Sequence, residues 1–272
     1  NYLRDPHHAA MHADYPPLLP LFYAWTMLGG KSLNWFGAIA TAPLLLIAST
    51  CAFFHFTRNS ELTILFASIF AFLFIDNSIA GDAEPMLIFL ATVALGALLF
   101  DGPPIVAAVA LTGAVLTKVE GAPVVFGILG ALAIMRAIAW KRAFVIGVAP
   151  AVAIASWLAY CAHHHLLDAY TPKHVVSTIA MLKPLITESA MGAMYIPWIV
   201  VVVLIAIGRT RAALPAIIAA VAFIAFLIVA WLGTNVEGEI AWSAKRVLMT
   251  PMLLLLFGAA AANAREACRT AP

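Results

Sequence analysis

The sequence predicts an all-α fold, a polytopic transmembrane helical bundle with an interfacial helix and extracytoplasmic loops, and three observations carry that prediction. Hydrophobic residues make up 64% of the 272 positions and charged residues only 10%, far from the balance of a water-soluble domain with a single core. Apolar runs of near-spanning length recur along the whole chain, as bilayer-crossing helices require. The charges fall in the polar breaks between those runs rather than within them, where hydrocarbon does not penalise them. A formal charge of +2 with basic residues scattered in ones and twos argues against nucleic acid as a partner. Cys51, Cys161 and Cys268 show no C-x-x-C spacing and read as small buried hydrophobes, not as a disulfide framework or a zinc site.

Taken in order, the chain begins at Asn1 without a methionine and in a polar segment, so it reads as continuing from an upstream portion with its own helix and loop. Residues 1–34 form an extracytoplasmic loop and an interfacial helix. The loop holds Arg4, Asp5, His7, His8, His12 and Asp14. It closes in Asp14-Tyr15-Pro16-Pro17-Leu18, where the double proline extends the backbone at Tyr15 and suits the first helical turn. Asp14 is there either as a helix cap or as part of a site. Residues 18–28 are too few to cross about 30 Å at 1.5 Å per residue. They fit an interfacial helix with Trp25 and Trp35 at headgroup level.

Residues 35–262 are read as a bundle of nine spans, at 35–56, 62–80, 85–100, 104–117, 122–140, 143–161, 195–208, 214–232 and 247–262, followed by a cytoplasmic tail at 263–272. If the nine alternate, Arg58, Arg136 with Lys141 and Arg142, Arg209 with Arg211, and Arg265 with Arg269 share one side, which the positive-inside rule makes cytoplasmic. The opposite side receives Asp14, Asp82, Glu84, Lys118, Glu120, the histidine run 163–165 and the loop ending in Lys245 and Arg246. Asp101 is the acidic exception and is read as a helix terminator before Gly102-Pro103-Pro104. The outer loop between the sixth and seventh spans, with Asp168, Tyr170, Lys173, His174, Lys183 and Glu188, has the length of a lid or substrate wall.

The outward groups admit two readings each. Asp82 and Glu84, in Ala80-Gly81-Asp82-Ala83-Glu84-Pro85, either solubilise a tight turn and favour a helix start or are aimed at something cationic or reacting. Lys118 and Glu120, two apart, are not expected to face one another on a helix. They end a span or serve different partners. His163 resembles a metal ligand, although three consecutive histidines cannot converge on one ion from regular backbone. Lys245 and Arg246 stand at an outer helix start, which the helix dipole disfavours unless an anion binds. They either anchor a lipid headgroup or hold a donor phosphate.

The order of Asp14-Tyr15-Pro16-Pro17-Leu18, Gly81-Asp82-Ala83-Glu84-Pro85, Thr117-Lys118-Val119-Glu120-Gly121 and the late Arg246 to Pro251 helix resembles the membrane glycosyltransferases of the GT-C superfamily. The branch it resembles holds the bacterial relatives of dolichyl-phosphate-mannose protein mannosyltransferases and of the lipid A aminoarabinose transferase. The resemblance implies transfer of a sugar from a polyprenyl-phosphate-linked donor to a glycan, lipid or protein acceptor on the extracytoplasmic face of the cell membrane. It implies catalytic carboxylates at Glu84, Asp82 and Asp14. Lys118, Lys245, Arg246 and Tyr15 map to donor-phosphate contacts, with tyrosine standing where the family carries lysine. A divalent ion, with Asp14, His174 and His163 as its ligands, is left open, and the family's principal catalytic aspartate is expected upstream of Asn1, Asp5 being a remote substitute. The rival from another class is a secondary transporter, which calls for ionisable residues near span centres. A non-catalytic multi-span protein is the third reading.

Overall fold

In the computed structural model, the residues described are 16–27, 35–75, 83–166, 195–207, 210–231 and 247–270. They form helices and no strand. In chain order these are α1 Leu18–Met27, α2 Trp35–Thr57, α3 Ser60–Ile75, α4 Glu84–Leu99, α5 Pro104–Thr117, α6 Gly121–Ile134, α7 Trp140–His163, α8 Tyr195–Ile207, α9 Thr210–Trp231 and α10 Met249–Thr270. A helix thus occupies each of the nine expected apolar stretches, and the ten-residue α1 precedes them.

The helices stop for local reasons. Arg58, Asp101, Arg136 and His165 all have φ between 51° and 56°, the left-handed conformation that ends a helix after its last turn. Behind Asp101, Arg136 and His165 the chain folds back, with Gly102 N donating to Ala97 O, Ala137 N to Leu132 O and Leu166 N to Cys161 O at 2.7, 2.8 and 2.9 Å. Asp101 therefore closes α4, as its setting before Gly102-Pro103 indicated. Arg136 does the same for α6, so Trp140 opens α7 and does not finish the preceding helix as expected. The start of α3 is capped by Asn59, whose Oδ1 accepts from Leu62 N at 2.9 Å. Residues 263–270, expected as a tail, continue α10.

Helix α4 lies at the centre, with thirteen of its sixteen residues buried, and residues 247–262 of α10 are buried throughout. Around them the outer helices turn large apolar side chains outward, including Leu44, Ile47, Val109, Phe144, Val145, Val152, Ile199 and Val221. The hydroxyls of Ser49, Thr50, Thr57, Thr63, Thr112 and Thr117 each donate to the carbonyl four residues back, at 2.6 to 2.8 Å, the resort of a hydroxyl with no water to bond. Two helices contain segments long and apolar enough to cross a membrane, Ala40–Thr57 and Trp140–His163, with mean hydropathies of 1.5 and 1.9 and only 28% and 22% of those windows buried within the protein.

The bundle has two chemically distinct ends. Helix α4 rises about 24 Å from Glu84 to Leu99 at 1.5 Å per residue. At its far end Arg142 Nη1 lies 3.6 Å from Asp101 Oδ1, and Arg142 Nη2 reaches Gly102 O at 3.3 Å. Arg58, Gly102 and Ala264 line one cavity there. At its near end Ala83 and Met86 pack with Leu19 of α1. Thr250 lies about 21 Å back along α10 from Ala264, and so belongs to the near end.

Candidate functional site

The near end gathers side chains from two separate turns. Glu84 is the first residue of α4, followed by Pro85 in the first turn; proline there loses no hydrogen bond, and the helix dipole favours the carboxylate. Helix α5 stops at Thr117 because Lys118 adopts an extended backbone, φ −156° and ψ 143°. A tight turn follows, Gly121 N donating to Lys118 O at 2.8 Å and Ala122 N to Val119 O at 3.0 Å. Gly121 is required at that point: a Cβ would collide with the Ala114 carbonyl.

This turn brings Lys118 and Glu120 face to face. Lys118 Nζ lies 2.9 Å from Glu84 Oε1 and 3.2 Å from Glu120 Oε1. The side chains of Lys118, Glu84 and Glu120 are 2%, 3% and 10% exposed. The expectation that Lys118 and Glu120 do not meet is corrected here. It assumed helical spacing, and Lys118 has already left the helix. Two carboxylates and one ammonium carry a net charge of −1. Glu120 Oε2 is buried without a hydrogen-bond partner among the described residues, a condition that costs about 1–3 kcal/mol or more for a charged group.

Other predicted residues fall as follows. Asp14, Tyr15, Asp82, His174, Lys245 and Arg246 lie outside the described residues. His163 ends α7 and is exposed, its ring 5.0 Å from that of His164. Helix α7 starts beside Gly102 and packs along α5, which carries His163 toward the near end. No three His, Cys, Asp or Glu side chains among the described residues are grouped to hold a metal. The Glu84–Glu120 pair does not fit a divalent ion, because the Lys118 ammonium already stands between its oxygens.

Two further buried groups carry no functional signal in the sequence beyond their position in the first or second turn of a helix. Thr250, at the near end, is fully buried, and its Oγ1 has no hydrogen-bond partner among the described residues. Trp198 Nε1, near the start of α8, is likewise buried without a partner among the described residues. Comparison with protein-family models, with curated proteins and with solved structures returns no match.

Proposed function

We propose that the chain is a multi-pass protein of the cell membrane, its Glu84 end facing the extracytoplasmic side, and that it transfers a sugar from a polyprenyl-phosphate-linked donor to an acceptor on that face. Membrane embedding is supported by the outward apolar side chains on nearly every helix and by hydroxyls that bond only to their own helix. The orientation is supported by the concentration of Arg58, Arg136, Lys141 and Arg142 at the opposite end. The observation that carries the enzymatic reading is the convergence of Glu84, Lys118 and Glu120, from turns 34 residues apart, into one buried cluster at the end where the GT-C-like motifs were expected to meet.

In this reading Glu84, paired with Lys118, takes the proton of the acceptor hydroxyl as general base. Glu120 Oε2 accepts a hydrogen bond from the incoming ligand. Because the Lys118 ammonium is engaged by two carboxylates, neutralisation of the leaving phosphate falls to Lys245 and Arg246, beside the start of α10. A secondary transporter fits less well: the charged cluster stands at the start of α4 and just past the end of α5, not at helix centres.

The test is Glu84→Gln in the complete protein, reconstituted in membranes and supplied with a panel of polyprenyl-phosphate hexoses and pentoses. Transfer should fall by about 10²–10⁴-fold while the variant still elutes as a folded, monodisperse species. Unimpaired transfer removes Glu84 from the mechanism, and no transfer by the unaltered protein from any donor removes the glycosyltransferase assignment.

A further inference from the structure

The far end of the bundle holds a second site that the transfer reaction does not use. A cavity of about 870 Å³ opens there, lined by the α2–α3 turn from His55 to Asn59, the α4–α5 corner from Ala97 through Phe100 to Val106, and Ala264 of α10. Its size lies within the roughly 300–1,000 Å³ of small-molecule sites. One wall is apolar and well fixed. Phe56 lies against Gly96, where a Cβ would collide with its ring. It stacks on Phe100 at 5.9 Å and meets Phe257 edge-on at 6.3 Å.

The other wall is polar and basic. Arg58 is exposed, held in a left-handed backbone conformation at the rim, and has no ion-pair partner among the described residues. His55 stands beside it, and no carboxylate among the described residues lines the cavity. Of the acids near it, Asp101 pairs with Arg142, and Glu61 is exposed on α3. In the sequence Arg265 and Glu266 follow the lining residue Ala264 directly, and Arg269 follows on the same helix. The cavity thus joins a guanidinium with no ion-pair partner among the described residues to an aromatic floor.

We infer that this cavity binds one anionic phospholipid of the cytoplasmic leaflet, its phosphate on Arg58 and the head of its acyl chains against Phe56, Phe100 and Val106. Charge complementarity selects the anionic headgroup, and the aromatic floor selects a lipid over a soluble phosphate. The site rests on the membrane placement proposed above and is independent of the chemistry at Glu84.

The test uses the full chain purified in detergent, first to establish that it requires detergent to stay in solution; a chain soluble without it removes the membrane placement, and with it this site. Native mass spectrometry then counts lipids retained from mixed micelles of phosphatidylglycerol and phosphatidylcholine. Phosphatidylglycerol should be retained in preference. Arg58→Gln should lower its retention about fivefold, the effect of one interfacial arginine, without altering phosphatidylcholine, and Arg58→Lys should keep most of it. Val106→Trp, at a half-exposed lining position, should block retention while leaving Arg58 in place. Equal retention of the two lipids, or an unchanged Arg58→Gln variant, overturns the site. Displacement of the lipid by an equal concentration of glycerol phosphate overturns the lipid assignment.

Discussion

Replacing Lys118 with methionine removes the one cation between two buried carboxylates. In the native cluster Nζ stands 2.9 Å from Glu84 and 3.2 Å from Glu120, with none of the three side chains more than 10% exposed, so solvent screening offers little relief. Breaking a buried pair by deleting one partner costs about 3–5 kcal/mol, and here the deletion leaves two like charges facing one another. Glu84→Gln is milder: the amide oxygen still accepts from Lys118, and the Lys118–Glu120 pair remains neutral. Its cost should be about 1–3 kcal/mol. Removing all charge at once, in Lys118→Met with Glu84→Gln and Glu120→Gln, should recover part of the Lys118→Met loss, because an uncharged buried set is often as stable as the ion pairs it replaces. The double variant of Lys118 and Glu84 should fall short of the sum of its singles by about 0.5–3 kcal/mol. Thermal unfolding in detergent, followed by recovery of monodisperse protein, ranks these variants. If Lys118→Met costs no more than Glu84→Gln, or the triple variant is less stable than Lys118→Met alone, the three groups do not form one electrostatic unit.

Two more predictions concern the frame around the cluster. Gly121→Ala should strongly destabilise the protein and separate α6 from α5, since its Cβ meets the Ala114 carbonyl, whereas Gly130→Ala, on the same helix with nothing within 4 Å, should be neutral or stabilise by up to about 1 kcal/mol; the same unfolding assay compares them. Asp101→Asn should change stability by no more than about 1 kcal/mol, because its 3.6 Å contact with Arg142 involves a carboxylate that is 82% exposed.

The helices were legible because each is an unbroken apolar run bounded by charge, glycine or proline, and their ends were legible where those signals were strong. Asp101 before Gly102-Pro103 marked the end of α4 correctly. Arg136 gave no such signal: an arginine in a left-handed turn looks like any interfacial arginine, so the boundary between α6 and α7 was misplaced by several residues. Among the described residues Arg58 and Arg142 lie at one end and Glu84, Lys118 and Glu120 at the other, as helices that alternate in direction require. What the sequence could not show was contact. Helical spacing keeps Lys118 and Glu120 apart, and one extended residue makes that spacing irrelevant.

The meeting of Lys118 with Glu84 depends on something further from view, the register in which α5 lies on α4. In the membrane setting proposed above there is no hydrophobic drive between helices, and that register is set by close approach of small side chains. Small buried residues accordingly recur on both helices, at Ala91, Ala94 and Ala97 of α4 and at Ala107, Ala110 and Ala114 of α5, with Leu90 pressed against Gly113. A slip of one turn would move the Lys118 ammonium by about 5.4 Å, enough to strand Glu84 without its cation in a buried setting. The alanine face and the ion cluster therefore enforce the same register, the first by sterics and the second by the penalty for an unpaired buried charge. That agreement explains how two turns 34 residues apart can hold a carboxylate and an ammonium at 2.9 Å beside an open carboxylate oxygen, the arrangement on which the proposed proton transfer depends.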